Sequence, residues 1–299
     1  MRFRGAAWLL ALALSVGMGQ AAAGYRLGPF KDDLFKYPKV LATGNNGAYT
    51  LVEFIASRDL DGRDEVPEKK AKPQYVSLDI DKKQKDQELV DGALKVPFVE
   101  VGDITQPVKA AFIFVHGHKG NRFQGVDDGT FGGNFNRLKN LMVRNDGLYL
   151  SPGVVDAKET GKAQVRLLAN EVLKHSPKAL IFVGCASSGG QICWDLFNNP
   201  TIRPHLGGIL LLGATTGYSF VSTLPSANDP HPVPIYIGHG NQDKIISWKV
   251  HDRLFKTVEA LRPGYPIKFV VFDGGKHGTP MRMTDWRLVL NWMLEADGV

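Results

Sequence analysis

Ile181-Phe182-Val183-Gly184-Cys185-Ala186-Ser187-Ser188-Gly189-Gly190 is the stretch on which the reading of this chain turns: an apolar run that passes into a cluster of small residues. A short continuous apolar run bounded by turn formers is expected to be a strand covered on both faces, and the residues after it, 188–197, read as a helix. A serine placed between the two sits on a tight turn. Small residues two places before it and two after, Cys185 and Gly189, let the backbone fold sharply enough to lift the hydroxyl above the sheet. The motif is Cys-x-Ser-x-Gly, one position away from the more usual Gly-x-Ser-x-Gly. Two other readings stand beside it: an ordinary serine at a helix N-cap, and Ser188 as the reactive hydroxyl, flanked by Ala186 and Gly190. The Ser-x-Gly-Gly run fits Ser187 better.

Outward from this turn, from residue 110 onward, short apolar runs alternate with longer helical segments, which is the signature of βαβ units and a parallel sheet. Strands are expected at 110–115, 148–150, 179–184, 208–212, 234–238 and 267–272. Helices are expected at 134–144, 158–174, 188–197, 247–261 and 285–294. Before residue 110 the pattern changes to candidate strands at 49–56, 75–80 and 96–101 with polar loops between them, as for antiparallel strands at the start of a mixed sheet. The stretch 213–232 has no clear periodicity. A loop of that length inside a compact domain is usually functional, and it is expected to overhang the site.

Three further stretches carry chemistry. Phe112-Ile113-Phe114-Val115-His116-Gly117-His118 ends a strand with a glycine bend. Val233-Pro234-Ile235-Tyr236-Ile237-Gly238-His239-Gly240-Asn241-Gln242-Asp243 ends a strand with a glycine-rich loop and an acid. Phe269-Val270-Val271-Phe272-Asp273-Gly274-Gly275-Lys276-His277-Gly278 carries a histidine in a loop after the last strand. Histidine suits a base that takes a serine proton and returns it at neutral pH, because its ordinary pKa lies near 6.5. A carboxylate on the far nitrogen of that ring keeps it in the right tautomer and stabilises it once charged.

With these stretches in the order Ser, Asp, His, the sequence resembles the α/β-hydrolase superfamily, particularly its esterase and lipase branch. The resemblance covers residues 96–296 well, and 25–95 only as plausible early strands. It implies an α/β fold with a mostly parallel central sheet, antiparallel N-terminal strands and helices on both faces. It also implies a triad of Ser187 as nucleophile, His277 as base and Asp243 as its orienter. The backbone amides of His118 and Ser188 would hold the oxyanion, where losing one donor costs about 3 to 4 kcal/mol of transition-state stabilisation. Competing assignments are weaker. Asp273 lies only four residues before His277 on the same turn, and His239 precedes the acid and reads as a polar-loop residue. A metal site from His116, His118, Asp127 and Asp128 lacks a third ligand at a telling spacing, so no metal or cofactor is expected.

The first 23 residues differ from the rest. Arg2 and Arg4, the apolar run 6–16 and Ala21-Ala22-Ala23 have the layout of a secretory signal peptide cleaved after Ala23. The run is too short for a membrane span, no cysteine follows for a lipid anchor, and Arg2 and Arg4 are not adjacent as in a twin-arginine signal. Export to the periplasm or medium is expected, with 24–299 as one domain: 24–95 early strands and loops, 96–299 the catalytic core. Without Arg2 and Arg4 the 36 basic side chains of the 299-residue chain fall to 34 against 30 acidic, a net charge of +4. Those charges are scattered, so no nucleic-acid footprint is visible, and the dense runs 58–72 and 82–85 read as solvated loops. With 43% apolar and 22% charged residues, disorder is excluded as an overall reading. The two cysteines, Cys185 and Cys193, are expected unpaired, because a helix starting just after Ser187 carries the second more than a turn away, beyond the roughly 7 Å Cα separation a disulfide allows.

The partner expected is a small-molecule ester, met by a monomer with no stable membrane insertion. Phe123, Phe131 and Phe135 near the glycine bend, with Tyr218 and Phe220 in the 213–232 loop, are candidates to wall an acyl or aryl pocket, or equally to pack the fold. Only about 20 residues separate the strands at 208 and 234, little room for a large lid. The same triad also serves an acyltransferase that passes the acyl group to an alcohol, and a hydrolase fold also serves non-catalytic binding.

Overall fold

The computed structural model describes residues 24–65, 69–217, 221, 223–224 and 231–298. The expected leader, residues 1–23, and the pocket candidates Tyr218 and Phe220 lie outside these. Ten strands form one sheet: β1 (Val40–Gly44), β2 (Tyr49–Glu53), β3 (Gln84–Asp91), β4 (Leu94–Val101), β5 (Ala110–Val115), β6 (Gly147–Pro152), β7 (Leu180–Ala186), β8 (Leu206–Leu212), β9 (Ile235–Gly240) and β10 (Ile267–Asp273). Their spatial order is β1-β2-β10-β9-β8-β7-β5-β6-β4-β3. Pairing is parallel from β2 through β6, and antiparallel for β1 with β2, β6 with β4 and β4 with β3.

Strands β5, β7, β8 and β9 are buried at nearly every position, which is why their sequences read as apolar runs instead of alternating. Alternate residues still go to opposite faces. Ile113, Val183, Leu211 and Ile237 pack with the helices Glu159–His175 (α2), Gly190–Asn198 (α3) and Trp248–Leu261 (α4). Phe112, Phe182, Leu210 and Tyr236 pack with Asn134–Arg144 (α1) and Trp286–Ala296 (α5). The chain moves one way from β5 to β6 and the other way from β7 to β10. This leaves a switch point between β5 and β7, where the strand ends open a crevice.

The N-terminal segment departs from expectation. Residues 75–80 form no strand: a short 3₁₀ turn, Pro73–Tyr75, is followed by loop. Instead β3 begins within the run 82–85 expected as a solvated loop, takes in its residues 84 and 85 and continues to Asp91, and its mostly exposed residues fit an edge strand hairpinned to β4. An edge strand buries too little to print an apolar pattern. β1 is likewise almost wholly exposed and extends the sheet at the other edge.

The cysteines are a second correction. Cys185 and Cys193 are joined in a disulfide, with Cα atoms 6.1 Å apart. After Ser187 the chain runs through a 3₁₀ turn, Ser187–Gly189, so α3 begins only at Gly190 and Cys193 lies in its first turn. The helix folds straight back over the end of β7, and both residues face the same core. Of the 213–232 loop, Gly213 and Thr215 lie against His277 and Ser187, Val221 and Leu224 are buried in the core on the α2–α4 side, and 218–220, 222 and 225–230 lie outside the described residues.

Candidate active site

Ser187 follows the last residue of β7 with a φ of +50°, a conformation that side-chain-bearing residues rarely adopt and that persists only where the surroundings impose it. The imposition is visible. Its carbonyl accepts the Thr215 amide at 2.7 Å, so the loop after β8 holds the turn from one side. On the other side the turn lies against the end of β5: a Cβ at Gly189 would sit 3.0 Å from the His116 carbonyl oxygen and 3.1 Å from that of Val115. Gly117 is closer still. A Cβ there would lie 2.7 Å from Ser187 Cβ and 3.4 Å from Ser187 Oγ, in the space a reacting group would use. The glycine bend after β5 therefore abuts the serine at the switch point.

Asp243 and His277 follow β9 and β10 on the same edge of the sheet. His277 Nδ1 donates to Asp243 Oδ2 at 2.7 Å, and the other carboxylate oxygen accepts the amides of Ile245 at 2.7 Å and Ile246 at 3.1 Å. Burial acts to raise the Asp243 pKa, yet the bonds from His277 and from the two amides outweigh it and hold the group below the ordinary carboxylate range. A carboxylate can only accept, so the neutral ring carries its proton on Nδ1 and its lone pair on Nε2. Ser187 Oγ and His277 Nε2 do not hydrogen-bond to each other; such contacts commonly tighten only when substrate binds. Asp273, the competing acid, is exposed and accepts from Asn241 Nδ2 at 2.7 Å. His239 is in β9, not in a polar loop, and its side chain is fully buried beside Asp243.

The amide of Ser188 belongs to the first turn after the serine, where helical N–H groups have no carbonyl partner within the helix. His118 stands beside it across the cleft described below. His116 is buried, and burial lowers its pKa; the neutral ring donates from Nδ1 to the Gly117 carbonyl at 2.8 Å. The acids of the rival metal site are engaged elsewhere. Asp127 caps the Gly129 and Thr130 amides and Asp128 pairs with Lys139. Among the described residues no group of three or more His, Cys, Asp or Glu side chains is placed to hold a metal ion, and no helix is long and apolar enough to cross a membrane.

Two clefts meet this edge. One of about 670 Å³ is bordered by Gly117, His118, Lys119, Ser188, Gln191 and Thr215, the residues on either side of the serine turn. The other, of about 430 Å³, is bordered by Phe54, Leu60, Phe131, Lys276 and Gly278, on either side of His277. Of the aromatic candidates, Phe131 borders this second cleft and stands edge-on to Phe135 at 5.4 Å. Phe135 itself is core. Phe123 lines neither cleft. The side chain of Asn121 caps its amide, turning the ring outward, where it is 49% exposed and stacks on Arg122. Phe54 and Leu60 went unread as cleft residues; the position of Phe54 at the end of a strand was the only signal available.

No protein-family model matches the chain, and no curated protein matches its sequence. Solved structures do resemble it. An esterase of Pyrococcus furiosus superposes with a TM-score of 0.51 at 12% identity, over 71% of this chain and 91% of that one. A truncated carbohydrate esterase from gut microbiota gives 0.52 at 13%, over 75% and 99%, and a thermostable esterase gives 0.51 at 13%, over 72% and 63%. These likenesses concern architecture: the chain has the α/β-hydrolase fold, with a mostly parallel sheet and helices on both faces.

Proposed function

We propose that this chain is an exported serine hydrolase that cleaves a carboxylic ester, or a related acyl bond, with Ser187, His277 and Asp243. The observation that carries the reading is the pairing of a serine held at positive φ above the switch point with a His277–Asp243 pair whose free nitrogen is the acceptor, all on one edge of the sheet. In the reaction so read, His277 Nε2 takes the Ser187 proton as Oγ bonds to the substrate carbonyl carbon. The carbonyl oxygen, now negative, is held by the amides of His118 and Ser188. The proton on His277 then passes to the departing alkoxide, which leaves as alcohol, and Ser187 stays acylated. Water, losing its proton to His277, attacks the acyl carbon, and the carboxylic acid departs as Ser187 regains its proton.

Gly117 supports the assignment, since a side chain there would meet the nucleophile. Export is supported by the Cys185–Cys193 disulfide, a bond that persists in oxidising compartments and is rare in the cytosol. The test is Ser187→Ala: it is expected to abolish labelling by a fluorophosphonate probe and to lower turnover of p-nitrophenyl esters by about 10⁶-fold. Equal labelling and turnover in a folded variant would refute the reading.

A further inference from the structure

The side chain of His239 is fully shielded from solvent, yet it stands in a central strand, where an apolar residue would pack at no polar cost. Its Nε2 lies 2.9 Å from the Ile246 carbonyl oxygen, to which it hydrogen-bonds, and 3.1 Å from Asp243 Oδ2. Both neighbours are acceptors only, so the ring proton is on Nε2, donated to the Ile246 carbonyl with the acid close beside it. The remaining nitrogen, Nδ1, is buried without a hydrogen-bond partner. Behind it, at 4.8 Å between ring centroids, lies the buried ring of His251 on α4, both of whose nitrogens also lack partners. A group that leaves polar atoms unsatisfied in the core calls for an explanation other than stability.

We propose that His239 is a positioning residue for the acid beside His277: its ring packs against the buried side of the Asp243 carboxylate, and its Nε2–H, donated to the Ile246 carbonyl, fixes the turn whose amides hold the other carboxylate oxygen. This rests on the triad reading above. The turn explains why one contact serves two ends. Ile246 donates its amide to Asp243 Oδ1 and accepts from His239 through its carbonyl, so the ring locks the segment that orients the acid. The titratable groups facing His239 are Asp243 from the loop after β9, His277 from the loop after β10, and His251 from α4. Burial lowers the His239 pKa, and burial together with the nearby His239 lowers that of His251 to about 3. Both rings are therefore neutral at pH 7, and no second positive charge competes with His277 for the carboxylate.

The experiment compares His239→Leu, which removes the donor, with His239→Gln, whose side-chain amide keeps one near the Nε2 position. Both are checked for folding by circular dichroism and assayed as kcat and KM for p-nitrophenyl acetate across pH. His239→Leu is expected to lower kcat by about 10- to 100-fold with KM nearly unchanged, the scale of a misplaced catalytic group. A carboxylate that loses the Nε2–H dipole beside it pulls harder on the His277 proton, so the acid limb of kcat/KM is expected to move up by about half a pH unit. His239→Gln should recover most of kcat and return the limb. A folded Leu variant with unchanged kcat and limb, or a Gln variant no better than Leu, would overturn the proposal. Ser187→Ala, assayed in parallel, separates the two levels of the argument. Turnover persisting there removes the triad reading and this inference with it, whereas turnover lost there but unaffected in His239→Leu removes the inference alone.

Discussion

Residues 110–298 and residues 24–101 build one sheet by different means. In the first part the strands are buried on both faces and the helices close over them, so apolar contact fixes the strand ends from which Ser187, Asp243 and His277 project. In the second, β1 and β3 lie at the two edges and are exposed along most of their length. That segment is tied down by polar anchors instead. Asp32 pairs with Arg137 and Arg287, and Asp64 pairs with Arg282 inside the protein. Arg63 beside them stacks between Phe35 and Tyr75, its pKa lowered to about 10 by burial and by the like charge of Arg282. The contrast divides the labour: the residues proposed to react stand on the apolar half, and the polar half ties down the edges and lends Phe54 and Leu60 to one cleft.

If that division is right, changes in the two halves should move different quantities. The larger effect belongs to the first half. Asp243→Asn keeps the shape of the acid but hands His277 the wrong tautomer, and kcat/KM for an ester is expected to fall by about 10⁴-fold. Thermal unfolding would move little, and steady-state assays beside a melting curve read both. In the second half, Asp64→Ala leaves Arg282 buried without its carboxylate, close to Arg63. The expected loss is about 3 to 5 kcal/mol of unfolding free energy in urea titration, with turnover per folded molecule unchanged. A large kcat change without a stability change in Asp64→Ala would break the comparison.

The same division explains what could be read in the sequence. The strands at 110–115 and 267–272 were legible to within a residue because burial on both faces leaves an apolar run, and the helix at 134–144 because Phe135, Leu138, Leu141 and Met142 recur at helical spacing, although residues 134–142 are all buried. The serine turn was legible as an apolar run ending in small residues, and the acid and histidine by their places after two further strands. Edge strands carry no such signal: β3 is mostly Gln, Lys, Asp and Glu side chains facing water, with Leu89 alone packed against the core, and only its hairpin partner reveals it. Pairing of Cys185 with Cys193 depended on where the helix starts, and the intervening 3₁₀ turn moved that start by two residues. The burial of His239 was hidden for a related reason, since the strand runs on to Gly240 where the glycines suggested a loop.

The central claim is that one hydroxyl, at position 187, is the nucleophile, and the most direct measurement is where a fluorophosphonate attaches. Digestion of the labelled, folded protein and mass spectrometry of its peptides should find a single phosphonylated residue, Ser187. An adduct on Ser188 or on any residue outside the serine turn, or a folded and unblocked protein that takes no label at all, would contradict it.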